Sequence, residues 1–154
     1  MRLQPPRTLA TYEEGSTPSF PRYNAHLTPS GEMPEVGLKG IPILRITDVQ
    51  RAKQFYGEFL GFEVDWEHYY EEGAPVYMQV SRDDLVLHLS GNARFTKGTI
   101  VFVETDGLDA LHEELSQKLG PWSPPAISST PWRTEQMEIE DPFGNLLRFN
   151  ESSG

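Results

Sequence analysis

The sequence contains no cysteine, which excludes disulfides, thiolate nucleophiles and cysteine-ligated metals and fits a cytoplasmic chain. It also lacks any run of about 18 apolar residues, and Pro5, Pro6, Arg7 and Glu13 interrupt the stretch where a secretory signal would carry its apolar core. Neither a membrane partner nor export is expected. Positive charge is scarce: 13 Lys and Arg face 23 Asp and Glu, for a net charge of -10. Such a surface repels nucleic acid and anionic membranes and leaves neutral or cationic partners. There is no glycine-rich phosphate loop and no Ser-His-Asp pattern.

What is present is a repeat. Ile41-Pro-Ile-Leu-Arg-Ile-Thr-Asp48 runs into Val49-Gln-Arg-Ala-Lys-Gln-Phe-Tyr-Gly-Glu-Phe-Leu-Gly61, and Thr99-Ile-Val-Phe-Val-Glu-Thr-Asp106 runs into a similar stretch ending at Leu119-Gly120. Each copy reads as an apolar strand, a Thr-Asp stop able to cap a helix, an amphipathic helix and a Leu-Gly exit. A unit of roughly 50 to 60 residues is marginal alone, so the halves should share a core or borrow one from a partner chain. At 154 residues the chain suits one such domain.

Residues 1–37 stand apart as a Pro-rich arm with no sustained periodicity, for which Leu9, Tyr12, Phe20, Tyr23 and Leu27 are candidate anchors and His26 a loop residue. The domain spans 38–151 as modules 38–92 and 97–151. In the first, strand 41–46 precedes a helix over 49–60 that carries Ala52, Phe55, Tyr56, Phe59 and Leu60 on one face. Strands follow at 62–67, 76–81 and 85–90. In the second, strand 99–104, a helix over 108–118 with Leu108, Leu111, Leu115 and Leu119 as its stripe, and strands near 126–128, 134–140 and 145–150 repeat the order. Asp141-Pro-Phe-Gly144 is a turn by its chemistry.

This pair of βαβββ units, with Thr-Asp before each helix and Asp-Pro-Phe-Gly-Asn before the last strand, resembles the vicinal oxygen chelate superfamily. That group includes glyoxalase I, extradiol dioxygenases, and the fosfomycin and bleomycin resistance proteins. The resemblance implies an α+β fold in which two four-stranded sheets make a cup and the helices pack on the opposite faces. Alternation then sorts the side chains. Leu85, Leu87, Leu89, Leu147 and Phe149 should face the helices. Ile41, Ile43, Arg45, Tyr77, Gln79, His88 and Ser90, with Thr99, Val101, Val103, Gln136, Glu138, Leu146, Arg148 and Asn150, should line the cup.

The family's metal enzymes draw ligands from four places that fall here on Ile41, His88, Thr99 and Arg148. One good donor of four, with an arginine among them, implies that no metal is held and no cofactor is needed. His88 has three readings: an unconventional ligand with Glu138 and Gln79, a hydrogen-bonding group for a guest in the cup, or a satisfied internal histidine. Arg148 and Glu138 form either binding groups or an internal ion pair. Around them stand aromatic residues, Trp66, Tyr69, Tyr70, Tyr77, Trp122 and Trp132, beside Glu63, Asp65, Glu67, Glu71 and Glu72. Such planes next to carboxylates suit a flat cation. The resemblance therefore points to metal-free homodimers of the bleomycin resistance type. Arg45, Trp66, Tyr77, Gln79, His88, Trp132, Glu138 and Arg148 would be ligand-binding residues and none would be catalytic. A metal-dependent lyase or dioxygenase using His88 and Glu138 is the alternative. Sequence alone leaves open whether each cup is built within one chain or between two.

Overall fold

Each half folds as its pattern of short apolar strands and one amphipathic helix dictates. In the computed structural model, which describes residues 35–153, the first half runs through β1 (Ile43–Arg45), α1 (Val49–Ala52, continuing as a π-helical stretch Lys53–Phe59), β2 (Glu63–Tyr69), β3 (Val76–Arg82) and β4 (Leu85–Ser90). The second runs through β5 (Ile100–Glu104), α2 (Leu108–Ser116), β6 (Ser128–Ser129), β7 (Thr134–Glu140) and β8 (Leu146–Ser152). The strands form two four-stranded sheets, β1-β4-β3-β2 and β5-β8-β7-β6, with β1/β4 and β5/β8 parallel. This is the expected α+β pair of βαβββ modules. The arm anchors and His26 lie outside the described residues.

The helices depart from expectation in detail. After Ala52 the first helix widens, with Leu60 N–H bonding to Phe55 C=O and Phe62 N–H to Tyr56 C=O. All five predicted apolar residues of this helix are buried. The second helix ends at Ser116, so Leu119 falls beyond it and is fully exposed, leaving Leu108, Leu111 and Leu115 as the stripe.

The two Thr-Asp stops are not equivalent. Asp48 caps α1 through its side chain and Arg51 N–H at 2.9 Å. In the second half Gly107 takes the cap position with φ +77°, and Glu151 of β8 supplies the carboxylate, accepting from Gly107 N–H at 2.6 Å and Leu108 N–H at 3.1 Å. The strand register agrees with this shift. Ile43 lies beside His88 as Phe102 lies beside Arg148, whereas aligning the Thr-Asp pairs matches Ile43 with Val101. In a strand, a slip of one residue inverts every side chain. The predicted cup lining of β5 is therefore corrected: Val101 and Val103 face the core, while Ile100 and Phe102 face away from it, 60% and 58% exposed. The cup-face place assigned to Thr99 passes to Ile100.

The helix faces of both sheets share one hydrophobic cluster, joining Leu44, Ile46, Met78, Val80, Leu87 and Leu89 to Met137, Ile139, Leu147 and Phe149. Trp122 seals it rather than serving a cup rim, packing edge-on against Phe55 at 5.3 Å with Arg51 over its ring. A buried polar tie between modules is Asp141, 5% exposed. Its carboxylate accepts from Tyr56 O–H at 2.5 Å and, at 2.8 Å each, from Phe143 N–H, Asn145 N–H and Asn145 Nδ2. Asn145 Nδ2 also donates to Arg45 C=O at 2.8 Å, and its Oδ1 accepts from Thr99 N–H at 3.2 Å. Burial, then the neighbouring carboxylate, raises the Tyr56 pKa well above 10.0, so the phenol stays a donor.

Removing either end of this tie strands buried polar groups. Tyr56→Phe should lower unfolding free energy by about 1.5 kcal/mol and Asp141→Ala by about 3 kcal/mol or more. Urea denaturation checks both values, and losses below about 0.5 kcal/mol would show that the tie is dispensable.

Candidate functional site

In the first sheet, Gln79 pairs with His88 and Tyr77 with Ser90 across β3 and β4, which sets their cup-face side chains next to one another. Strict alternation would place Trp66 with Phe62 and Val64 on the helix face. A bulge prevents it: Val64 still opposes the buried Val80, yet Trp66 opposes Gln79, leaving Asp65 as the extra residue. Both Asp65 and Trp66 therefore reach the cup face. The Trp66 ring lies nearly parallel to Tyr77, 15° between planes and 5.9 Å between centroids, and edge-on to His88 at 5.3 Å.

A chain of hydrogen bonds with a fixed direction holds this cluster. Asp65 accepts from Gln79 Nε2 at 3.0 Å and Ser81 Oγ at 2.9 Å. The amide oxygen of Gln79 is thereby turned to His88 Nε2 at 3.0 Å, which must carry the proton. His88 Nδ1 then accepts from Tyr77 O–H at 2.8 Å. The imidazole is neutral, and burial holds its pKa below 6.5. Tyr77 is shifted above 10.0 by burial and then by Tyr70.

On the second sheet, Glu138 and Arg148 face each other across β7 and β8, and Arg148 Nε donates to Glu138 Oε1 at 2.6 Å. Gln136 Nε2 donates to the same oxygen at 3.1 Å. Beside them lies the apolar strip of Ile100 and Phe102. Asn150, 8% exposed, has an amide oxygen without a hydrogen-bond partner among the described residues.

Of the predicted binding residues, four converge: Trp66, Tyr77, Gln79 and His88. Glu138 and Arg148 form a separate pair on the other sheet. Arg45 is engaged elsewhere, its guanidinium donating to Phe95 C=O at 3.2 Å and Ile46 C=O at 3.3 Å. Trp132 is 68% exposed on the loop before β7 and makes no ring contact among the described residues. Among the rim residues, Tyr69 and Glu67 turn from the cup: Tyr69 O–H donates to Glu67 at 2.8 Å, and Glu67 pairs with Lys53 of the first helix at 2.5 Å. Lys53 holds the Glu67 carboxyl below its ordinary value. Sequence reasoning missed Asp65 as an orienting group and Ile100 and Phe102 as cup-face residues.

The family described as Glyoxalase superfamily protein matches residues 29–154. The chain belongs to the glyoxalase superfamily. Solved structures agree in fold. A bleomycin-binding protein from the bleomycin producer Streptomyces verticillus, bound to copper(II)-bleomycin, is 25% identical with a TM-score of 0.58 over 77% of this chain and 98% of its own. Another bleomycin-binding protein in complex with bleomycin is 21% identical, TM-score 0.59, over 76% and 100%. A glyoxalase-related enzyme from Clostridium phytofermentans is 23% identical, TM-score 0.61, over 77% and 97%. No curated protein matches the chain. 

The residues at hand do not suit the divalent ion that the superfamily's metal enzymes hold. Ile41 and Ile100 offer no donor, both His88 nitrogens lie within hydrogen-bond reach of Gln79 and Tyr77, and Glu138 is neutralised by Arg148. His88 and Glu138 stand on different sheets.

The histidine also sets a pH dependence. Its folded pKa lies below its unfolded value near 6.5, so the unfolded chain binds the proton more readily. Its contribution to stability is complete above that value, declines as pH falls through it, and levels off below the shifted pKa. NMR titration should find His88 protonated on Nε2 at neutral pH with a midpoint below 6.5. A midpoint above that, or an Nδ1–H tautomer, contradicts the network.

Proposed function

We propose that this superfamily member is a binding protein that sequesters a planar, cationic small molecule of bleomycin-like chemistry in a crevice completed by a second copy of the chain. The observation that carries the reading is the Trp66–Tyr77 pair, two nearly parallel rings on a sheet face, the second held by its hydrogen bond to His88. A flat cation gains by stacking and by cation attraction, about 0.5–2 kcal/mol per good contact. His88 acts by fixing Tyr77, Arg148 keeps guanidinium N–H groups beyond its bond to Glu138 for polar contacts, and the excess of carboxylates disfavours anions. Bleomycin bound to two proteins of the same fold supports the choice of guest. No residue is assigned a catalytic role, and no cofactor is required.

The exposed face of β5 supports the homodimer reading. Ile100 and Phe102 are more than half exposed on a sheet face, and apolar side chains grouped in this way mark an interaction surface. Pairing two copies would cover the strip and bring the cup face of one sheet toward the complementary face in the other chain.

Calorimetric titration of the full chain with metal-free and copper-loaded bleomycin should give micromolar or tighter binding, weakened about ten-fold by Trp66→Ala. Absence of heat with either form would overturn the choice of guest. Sedimentation should show a dimer that Phe102→Glu converts to monomer without unfolding. A wild-type monomer at the same concentration would overturn the shared crevice.

A further inference from the structure

A second cavity lies away from both cup faces. It is a half-open cleft of about 530 Å³ on the helix side, between the end of the first helix with the β3–β4 turn and β5 with α2. That volume falls within the roughly 300–1,000 Å³ usual for small-molecule sites. Its floor is hydrocarbon, from Leu60, Phe62, Leu111 and Phe149.

The polar groups around that floor are not balanced. The one cation, Arg82, is already engaged: Nη1 donates to Leu60 C=O at 2.7 Å and to Glu114 at 2.8 Å, and Nη2 to Glu114 at 3.1 Å. This arginine holds the Glu114 carboxyl below its ordinary range. The start of α2, which would otherwise attract an anion, already has the Glu151 carboxylate on Gly107 and Leu108 N–H. Of the further carboxylates along the cleft, Asp83 stands 3.9 Å from Arg82 Nε, Glu104 shares the outward parity of Phe102 on β5, and Asp84 and Asp106 are exposed and in no ion pair among the described residues. The unmatched charge is negative, and it borders an apolar trough.

We propose that this cleft is a second small-molecule site, taking an amine or quaternary ammonium with a short hydrocarbon tail. The tail lies on Leu60, Phe62 and Phe149, and the head sits among Asp83, Asp84 and Asp106. An anionic amphiphile of the same length meets the same floor and the wrong charge. This site is independent of the crevice assigned above, since it shares no residue with the Trp66 cluster or the Ile100–Phe102 strip.

The test is an amide NMR titration of the full chain with octyltrimethylammonium, below its micelle concentration, against octanoate. Saturable shifts are expected at Leu85, Val103, Ala110 and Leu111, with octanoate about ten-fold weaker or more. Ala110→Trp, an exposed position on the cleft wall, should abolish the shifts while leaving the rest of the spectrum in place. The combined D84N and D106N variant should weaken binding about ten-fold without altering the fold, which keeps the test decisive if the tryptophan variant does not fold. No shifts at millimolar ligand would overturn the proposal. Equal binding of octanoate, or shifts confined to Trp66 and Phe102, would do so as well.

Discussion

A buried carboxylate in the turn of one module, satisfied by a phenol from the helix of the other, holds this fold together. Asp141 cannot leave water without partners, and Tyr56, its own backbone turn and Asn145 supply four. Because Tyr56 belongs to the first helix and Asn145 also reaches Arg45, the bond network fixes the helix faces of the two sheets against a common core. Hydrophobic burial alone is non-directional and would tolerate sliding of one sheet on the other. With the helix faces joined, the opposite faces are left to make a site.

Those opposite faces show two ways of using polar residues. On the first sheet a one-residue bulge brings Asp65 to the side of Gln79, so that an obligate acceptor orients an amide, the amide selects a histidine tautomer, and the histidine receives a tyrosine proton. The result is an aromatic surface in which Tyr77 and His88 are held by hydrogen bonds. On the second sheet Arg148 and Glu138 neutralise each other with 37% and 39% of their side chains exposed, an arrangement that contributes little stability. Asn150 leaves a buried acceptor there without a hydrogen-bond partner among the described residues.

Much of this could be read from the chain. The βαβββ order followed from apolar periodicity and turn residues, and the Asp141–Gly144 turn from its own chemistry. The faces of β1, β3, β4 and β8 followed from simple alternation. The errors share a cause. Alternation is reliable only while the count starts from the right residue and is kept, and it failed here twice. Gly107, not Asp106, stands where Asp48 caps the first helix, so aligning the two Thr-Asp pairs placed β5 one residue out and hid Ile100 and Phe102. The bulge at Asp65 leaves no compositional mark in Val64-Asp-Trp66, and its effect on the Gln79–His88 pair depends on a neighbouring strand. Trp122 was misassigned because a tryptophan in a Pro-rich loop reads the same whether it caps a core or rims a cavity.

Under the proposed reading coordination has given way to stacking: the side chains able to hold an ion are bound to one another, and the aromatic pair is what a guest would meet. Metal content tests it most directly. After exposure to Ni, Zn, Fe and Mn and passage through a desalting column, the purified protein should carry far less than one ion per chain. A stoichiometric ion that is lost in the His88→Ala variant would contradict it.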